Sequence, residues 1–152
     1  MDDYLIKFES LLNSLPESFL GVLATSDGNE VGARTMSIIK FGDKFYFQTD
    51  RFSVKASHID RHNQAAIAFD NYEIMGRCEC LGHPLNKGNS SIMRVYKNQF
   101  QIAAAKYSHL EQEAFYVFIP EKIKKWEYID NEATQTIADN INKTYICEKL
   151  GY

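Results

Sequence analysis

Apolar residues near the start of the chain recur every three or four positions, which is the spacing of one face of an α-helix. Pro16, Glu17 and Ser18 end this pattern. The pattern predicts an amphipathic helix over residues 3–15. Its apolar residues are Leu5, Ile6, Phe8, Leu11, Leu12 and Leu15.

Strand-like runs separated by turn signals follow this helix. The apolar run 19–24 leads to Asp27-Gly28, a dipeptide typical of tight hairpins, and a second strand is predicted over 30–40. A turn at Phe41-Gly42-Asp43 precedes alternating residues over 44–48. These three segments predict an antiparallel meander.

The rest of the chain mixes helical and strand patterns. Helical spacing returns over 53–62, after the capping residues Thr49-Asp50, and again over 89–97. Residues 98–112 fit neither pattern, and the polar tail 130–152 is compatible with a helix or with an arm docked on a partner. Further strands are predicted over 65–69, 74–81, 115–119 and 123–129, with Pro120-Glu121 separating the last two.

Many short strands joined by turns favour an antiparallel β-barrel with peripheral helices over a parallel sheet. A length of 152 residues favours one domain. We therefore expect a single, mainly β domain over residues 1–152. It would comprise the helix at 3–15, the barrel at about 18–129 and the tail at 130–152.

Composition and charge exclude several function classes. The 20 acidic and 17 basic residues give a formal net charge of -3, which disfavours binding to nucleic acid. No apolar run approaches the ~20 residues of a membrane-spanning helix, and the acidic N-terminus does not look like a signal peptide. Three cysteines do not make a secreted disulfide framework. We expect a cytoplasmic protein, with buried free thiols at Cys78 and Cys80.

Donor and cationic side chains concentrate between residues 34 and 55, where consecutive strands lead to the second predicted helix. Helix amides, the Ser53 hydroxyl and the Lys55 ammonium can meet on one phosphate, with Arg34 reaching across from a neighbouring strand. An ordinary helix cap and two solvated cations explain the same residues. Rossmann, P-loop and nucleophile-elbow motifs are absent from the sequence. The cluster consists of Arg34, Ser37, Gln48, Thr49, Ser53 and Lys55.

Six segments, by their order and spacing, resemble the pyridoxamine 5'-phosphate oxidase-like family of FMN-binding split barrels. The resemblance extends from about residue 19 to about residue 128, and no single segment would suffice for it. The segments are Gly21-Val22-Leu23-Ala24-Thr25, Arg34-Thr35-Met36-Ser37, Phe45-Tyr46-Phe47-Gln48-Thr49, Ser53-Val54-Lys55, Asn63-Gln64-Ala65-Ala66-Ile67-Ala68-Phe69 and Gly76-Arg77-Cys78-Glu79.

The resemblance implies a six- or seven-stranded antiparallel split barrel that forms a homodimer and binds FMN between its subunits. Arg34 and Lys55 would hold the FMN phosphate. Thr49 and Ser53 would donate hydroxyl hydrogen bonds to it. The cofactor-binding residues implied are Arg34, Thr35, Met36, Ser37, Gln48, Thr49, Ser53 and Lys55.

The isoalloxazine ring would lie along the backbone of residues 35–37 and beside Gln48. Two departures from the family pattern stand out. Val54 occupies the place of an Arg that is a phosphate ligand in the true oxidases, and their C-terminal Trp and Arg segment has no counterpart after Tyr128. The resemblance therefore implies a related FMN-dependent oxidoreductase acting on an unknown small molecule or electron donor, and not a true pyridoxamine 5'-phosphate oxidase. No catalytic residue is identified.

Two other functions remain open on the same fold. One is a flavin-binding or flavin-storage protein without turnover. The other is a haem-handling relative, for which a histidine would have to bind the iron. The spacing of His58 and His62 can bind a metal, but no third ligand accompanies them and no metal site is predicted. The candidate iron ligands are His58, His62, His83 and His109.

Two apolar surfaces are candidates for the dimer contact. One is the apolar helix face over residues 5–15. The other is the aromatic segment with Tyr96, Phe100 and Tyr107. Each of these surfaces is equally compatible with packing inside its own barrel.

Overall fold

Eight strands, most of them joined by short turns, make up the larger part of the computed structural model, which describes residues 2–151. Met1 and Tyr152, the ends of the expected domain, lie outside the described residues. The strands are β1 Ser18–Ser26, β2 Val31–Phe41, β3 Lys44–Asp50, β4 Gln64–Phe69, β5 Tyr72–Gly82, β6 Glu113–Ile129, β7 Glu132–Asp139 and β8 Thr144–Lys149.

The helices lie between and before these strands. The first helix ends at Asn13, close to the predicted end, and the second matches the predicted segment with Ser53 as its N-cap. The ambiguous segment 98–112 contains a short helix. The helices are α1 Asp3–Asn13, α2 Val54–Arg61, α3 Ser90–Gln99 and α4 Gln101–Tyr107, and a 3₁₀ turn precedes α3 at Lys87–Asn89.

Six of the strands close into an antiparallel barrel. Their order is β3-β2-β1-β4-β5-β6, and β3 pairs with β6 to complete the ring. β7 and β8 extend the sheet beyond β6. The prediction of a mainly β, antiparallel barrel with peripheral helices is confirmed.

The first hairpin forms where its turn residues predict it. Asp27 Oδ1 accepts hydrogen bonds from the amides of Asn29 and Glu30. Gly28 has a φ of 96°, which L-residues rarely adopt. These features fix the register of β1 on β2 and thereby place Leu23 opposite Arg34.

Aromatic side chains fill the barrel interior. Phe47 and Tyr116 stack with their ring centroids 5.5 Å apart, and Phe45 meets Phe118 edge to face. The apolar face of α1 covers this core, in which Phe8, Leu12 and Leu15 are buried.

A second apolar cluster lies outside the barrel, under α3 and α4. Tyr96 is buried there against Phe115, and Phe100 packs beside it. Phe8 and Leu12 on the face of α1 and Tyr96 are buried within their own chain, whereas Ile6 on the same helix is 48% exposed, so a dimer contact through these surfaces stays a prediction. Of the three aromatic candidates, only Tyr107 is exposed, at 42%.

β6 is one continuous strand, and the prediction of two strands separated by Pro120-Glu121 is wrong. Proline has no amide to donate to a ladder, so it usually ends a central strand. Here the register of β5 on β6 shifts between Met75 and Gly76, and Gly76 pairs with Pro120. The irregularity accommodates the proline without interrupting the strand.

The tail after residue 130 is neither a helix nor a partner-docked arm, because it forms β7 and β8 of the same sheet. Asp130 and Asn131 adopt φ values of 53° and 62° and make the tight turn that leads into β7. Small residues on β7 give little apolar periodicity, although they pack in the interior. Its buried residues are Ala133, Thr134, Thr136, Ala138 and Asp139.

Replacing Gly76 by Ala should destabilise the fold. The added methyl group would overlap the Ile119 carbonyl and lie 2.8 Å from Phe118 Cε1. We expect the free energy of unfolding, measured by urea denaturation, to fall by roughly 1–3 kcal/mol. Gly88→Ala is the control, since nothing lies within 4 Å of its added methyl group. Equal stability of the two variants would contradict the close packing of β5 on β6.

Candidate functional site

The barrel is open between β2 and β3. These strands pair only from Ile39 to Phe41 and from Lys44 to Tyr46. Beyond that point β2 pairs with β1 and β3 pairs with β6. α2 begins directly after β3 and packs against β1, so its first turns lie at this opening. We call the opening the split.

Arg34 points from β2 toward the barrel interior at the split. Its Nη1 donates to Thr25 Oγ1 at 2.7 Å and to the Leu23 carbonyl at 3.2 Å. No carboxylate of residues 2–151 lies within ion-pairing distance of its guanidinium. Arg34 is therefore a partly buried cation without an anionic partner in the described chain.

Lys55 lies in the first turn of α2. Burial lowers the pKa of its ammonium, and the charge of Arg34 lowers it further, whereas Glu113 and Asp50 act in the opposite direction. Within the described residues the ammonium makes no ion pair. The two positive charges are thus held close together and repel each other. An anion bound beside them would offset this repulsion.

The N-terminus of α2 adds hydrogen-bond donors. The Ser53 hydroxyl caps the helix by accepting from the Ala56 amide at 3.3 Å and donates to the Asp50 carbonyl at 2.7 Å. The amides of Val54 and Lys55 have no acceptor among residues 2–151. Free amides at a helix start attract anions. Capping by Ser53 leaves the helix amides free to bind a phosphate. The Ser53 hydroxyl itself, however, already donates its one proton to the Asp50 carbonyl.

Thr49 faces the interior from the end of β3 and is 6% exposed. Its hydroxyl makes no hydrogen bond within the described part of the chain, yet it is not sealed from solvent. It is therefore available to a ligand at the split. Arg34, Thr49 and Lys55 are the predicted phosphate ligands that the fold brings to this opening with free donor capacity.

Gln48 lies on the opposite face of β3. It is buried near the end of α4, where its amide accepts from Ser108 Oγ at 2.6 Å and donates to Glu113 Oε1 at 3.0 Å. Both ends of the amide are therefore occupied by internal hydrogen bonds. The structure separates Gln48 from Arg34 and Lys55, and its contact with a flavin ring stays a prediction.

The three neighbouring residues on β2 alternate between the two faces of the strand. Thr35 and Ser37 pair with Val22 and Leu20 and point outward, whereas Met36 packs against the barrel core. A flat ligand on the outer surface would therefore contact Thr35 and Ser37 and meet Met36 only through its backbone.

A groove on the outer surface was not evident from the sequence. It lies where β7 and the turn after it overhang β1 and β4, and consists of two cavities of about 440 and 510 Å³. The cavities adjoin at Ala24 and Ala66, which line both. The signal was the set of alanines at outward positions of these strands, Ala24 on β1 and Ala66 and Ala68 on β4. Small side chains leave a flat floor that suits a planar ligand.

The histidines are not grouped. His58 is buried and its Nδ1 lies 2.9 Å from Thr25 Oγ1. Both ring nitrogens of His83 are engaged, one with the Leu110 carbonyl and one with the Leu85 amide. Residues 2–151 contain no cluster of three or more side chains suited to bind a metal ion.

All three cysteines are free thiols. Cys78 is buried, which raises the pKa of its thiol to about 12. Cys80 is exposed, so the expectation that it is buried is wrong. Cys80 pairs with Tyr116, two residues along from the Cys78–Phe118 pair, so it lies on the same face as Cys78 but nearer the end of β5, where its side chain is exposed.

None of the four helices in residues 2–151 is long and apolar enough to cross a membrane.

The sequence profile of the family described as pyridoxamine 5'-phosphate oxidase matches residues 8–127. This range includes both cations of the split and nearly all of the barrel. None of the curated proteins matches the sequence.

Several solved structures share the fold. A pyridoxamine 5'-phosphate oxidase-related, FMN binding protein from Nostoc punctiforme is 16% identical with a TM-score of 0.60, and 98% of this chain and 93% of that one are covered. A heme binding protein from Mycobacterium smegmatis is 11% identical with a TM-score of 0.63, covering 84% and 55% respectively. The heme storage protein HutZ from Vibrio cholerae is 11% identical with a TM-score of 0.59, covering 77% and 87%. Such low identities show the fold alone.

Lys55→Met should have opposite effects on stability and on anion binding. Removing the ammonium relieves its unfavourable burial beside Arg34, so the ligand-free variant should melt slightly above the wild type at low salt. Inorganic phosphate should raise the melting temperature of the wild type and have little effect on the variant. Lys87→Met, at an exposed position, is the control. A lower melting temperature with an unchanged phosphate response would contradict the anion site.

Proposed function

This chain belongs to the pyridoxamine 5'-phosphate oxidase family, and on that basis we propose that it binds FMN and acts as a flavin-dependent oxidoreductase on a small molecule in the cytoplasm. The observation that supports FMN is the convergence of Arg34 and Lys55 at the split without a carboxylate partner among the described residues. A terminal phosphate dianion fits two cations and free helix amides.

The residues at the split fit the phosphate end of FMN. Arg34 and Lys55 would bind it through charge-assisted hydrogen bonds, and the free amides of Val54 and Lys55 would add two neutral donors. Thr49 has a free hydroxyl for a further bond. Ser53 would contribute by holding the start of α2 in place. Its hydroxyl would donate to the phosphate only if it gave up its hydrogen bond to the Asp50 carbonyl.

The flavin ring would lie on the outer surface beside β2. There the outward residues Thr35 and Ser37 pair with Val22 and Leu20 of β1, and Val22 pairs in turn with Ala68 of β4. A flavin supplies hydride and electron transfer at its ring. The chain's own task would be to hold the ring against the strand and to exclude water from one side of it.

A second copy of the chain would cover the other side of the ring, which would make the working unit a homodimer. The outer face of β1 and β2 carries exposed apolar side chains that no described helix covers. Leu20 is 63% exposed, Val22 38% and Val31 73%. Burying these residues against a partner copy would remove apolar surface from water and enclose the ring at the same time.

Haem binding is the second candidate, because two of the similar structures are of a heme binding and a heme storage protein. In this chain His83 has no free ring nitrogen, and His58 is buried with one nitrogen bound to Thr25. Iron ligation would therefore require His62, His109 or the second ring nitrogen of His58. The visible spectrum of the purified protein distinguishes a flavin band from a Soret band.

FMN should bind more tightly than riboflavin, because only FMN has the phosphate. Lys55→Met should weaken FMN binding by about one to two decades while leaving riboflavin binding unchanged, since a charge-assisted hydrogen bond contributes roughly 1.5–3 kcal/mol. Quenching of flavin fluorescence measures both affinities, and Lys87→Met is again the control. Equal affinity for the two flavins would refute a phosphate site. Reduction of the bound flavin by a nicotinamide would support an oxidoreductase, whereas its absence would favour storage.

Dimerisation and FMN binding should be coupled. If each site includes residues of both subunits, dilution should release FMN as dimers dissociate, and added FMN should favour the dimer. Sedimentation velocity with absorbance at the flavin band follows both processes. Val22→Lys, which places a charge on the exposed face, should weaken both together, whereas Ile102→Lys, on exposed α4, should affect neither. A monomer that retains one FMN per chain would contradict the shared site.

A further inference from the structure

Arg34 makes contacts that a phosphate ligand does not need. Its guanidinium does not extend freely from β2 but lies back against β1, where Nη1 donates to Thr25 Oγ1 at 2.7 Å. The same Thr25 oxygen lies 2.9 Å from His58 Nδ1. Thr25 and His58 are 2% and 4% exposed, so this contact is shielded from water.

The donors and acceptors of these three groups fix the direction of the Arg34–Thr25 hydrogen bond and allow Thr25 to donate to His58. An arginine only donates, so Thr25 Oγ1 must accept from Arg34. The single proton of the Thr25 hydroxyl is then free to point at His58 Nδ1, which accepts it when the imidazole is neutral with its proton on Nε2. In that tautomer His58 orients the threonine hydroxyl so that a lone pair of its oxygen faces the guanidinium.

Gly32 provides the space that Arg34 occupies. An added Cβ at this position would lie 2.5 Å from Arg34 Nη2 and 3.6 Å from His58 Cε1. The backbone of Gly32 is not in the left-handed region, so an alanine would fit the strand itself. The guanidinium in its observed position is therefore the close neighbour that an alanine side chain here would displace.

We propose that Gly32, Thr25 and His58 form a seat that holds the Arg34 guanidinium at the split, and that Thr25 and His58 are positioning residues for an anion bound there. The part of this inference that concerns FMN rests on the proposed FMN site. Pre-placing the guanidinium removes the loss of side-chain freedom that binding would otherwise require. His58 also lies three residues after Lys55 on α2, so one helix supplies a direct ligand and a support for the other cation.

Two substitutions disturb the seat by different routes. Thr25→Val keeps the shape but removes both hydrogen bonds, and Gly32→Ala displaces the guanidinium without touching Thr25. Each should weaken FMN binding about tenfold, with riboflavin affinity changed by less than about twofold. Thr25→Ser, which keeps the hydroxyl, should restore FMN affinity. If Thr25→Val does not fold, Gly32→Ala still tests the seat.

A double-mutant cycle separates positioning from a general structural effect. In an Arg34→Ala background neither Thr25→Val nor Gly32→Ala should weaken FMN binding further, because the guanidinium they position is gone. An equal loss of FMN and riboflavin affinity, or a loss that persists in the Arg34→Ala background, would overturn the inference.

The thermal response to inorganic phosphate is measured on the same variants. If the wild type binds neither flavin but phosphate stabilises it, and Gly32→Ala removes that stabilisation, the seat stands and the FMN proposal fails. If phosphate stabilises the wild type and Gly32→Ala equally, the seat is wrong whatever the flavin results. A wild type that responds to neither phosphate nor FMN overturns both.

Discussion

Strand β3 has two neighbours available to it, and the whole arrangement depends on how it divides its hydrogen bonds between them. It pairs with β6 from Phe45 to Asp50 but with β2 only over its first three residues. The pairing with β6 closes the barrel, and the departure from β2 opens it. The first turn of α2 lies at the opening, which is why a lysine from a helix and an arginine from β2 lie close together. If β2 and β3 paired along their whole length, the barrel would have no such opening.

The cost of this arrangement is electrostatic. Burial and the neighbouring charge of Arg34 both disfavour the charged form of Lys55, and Glu113 only partly offsets them. Glu113 is itself held by Gln48, whose other end is bound by Ser108. Gln48 thus shapes the site indirectly, by fixing a carboxylate near Lys55. Sites that bind anions commonly retain such unfavourable charge in the free protein.

Local patterns in the sequence predict local structure well here. The Asp27-Gly28 turn, the helix start at Ser53 and the aromatic alternation of β3 all appear where they were expected, because each depends on neighbouring residues alone. The continuity of β6 could not be predicted, because the irregularity that accommodates Pro120 lies on another strand. β7 escaped detection because its buried residues are small and partly polar.

The site shows the same limit. Sequence alone brought Arg34 and Lys55 into one hypothesis, but alternation along β3 could not reveal that α4 covers Gln48. Nor could it show that the hydroxyl of Ser53 is already engaged, or that Thr25 and His58 lie against Arg34. These facts depend on contacts between residues far apart in the chain, and they appear only once the barrel is closed.

The closing strand also sets the order in which the protein can be completed as it leaves the ribosome. Residues of β1, β2, β3 and α2, which hold Arg34 and Lys55, emerge first. Most of β3 has no partner strand until β6 has been synthesised, because β2 pairs only with its first three residues. Pairing Phe45 with Phe118 requires closing a long loop, a slow step compared with forming the early hairpin. Until β3 pairs with β6, the barrel that holds Arg34 and Lys55 at the split is not closed. We therefore expect an anion bound at the split to stabilise the closed barrel, in which Arg34 and Lys55 are held close together.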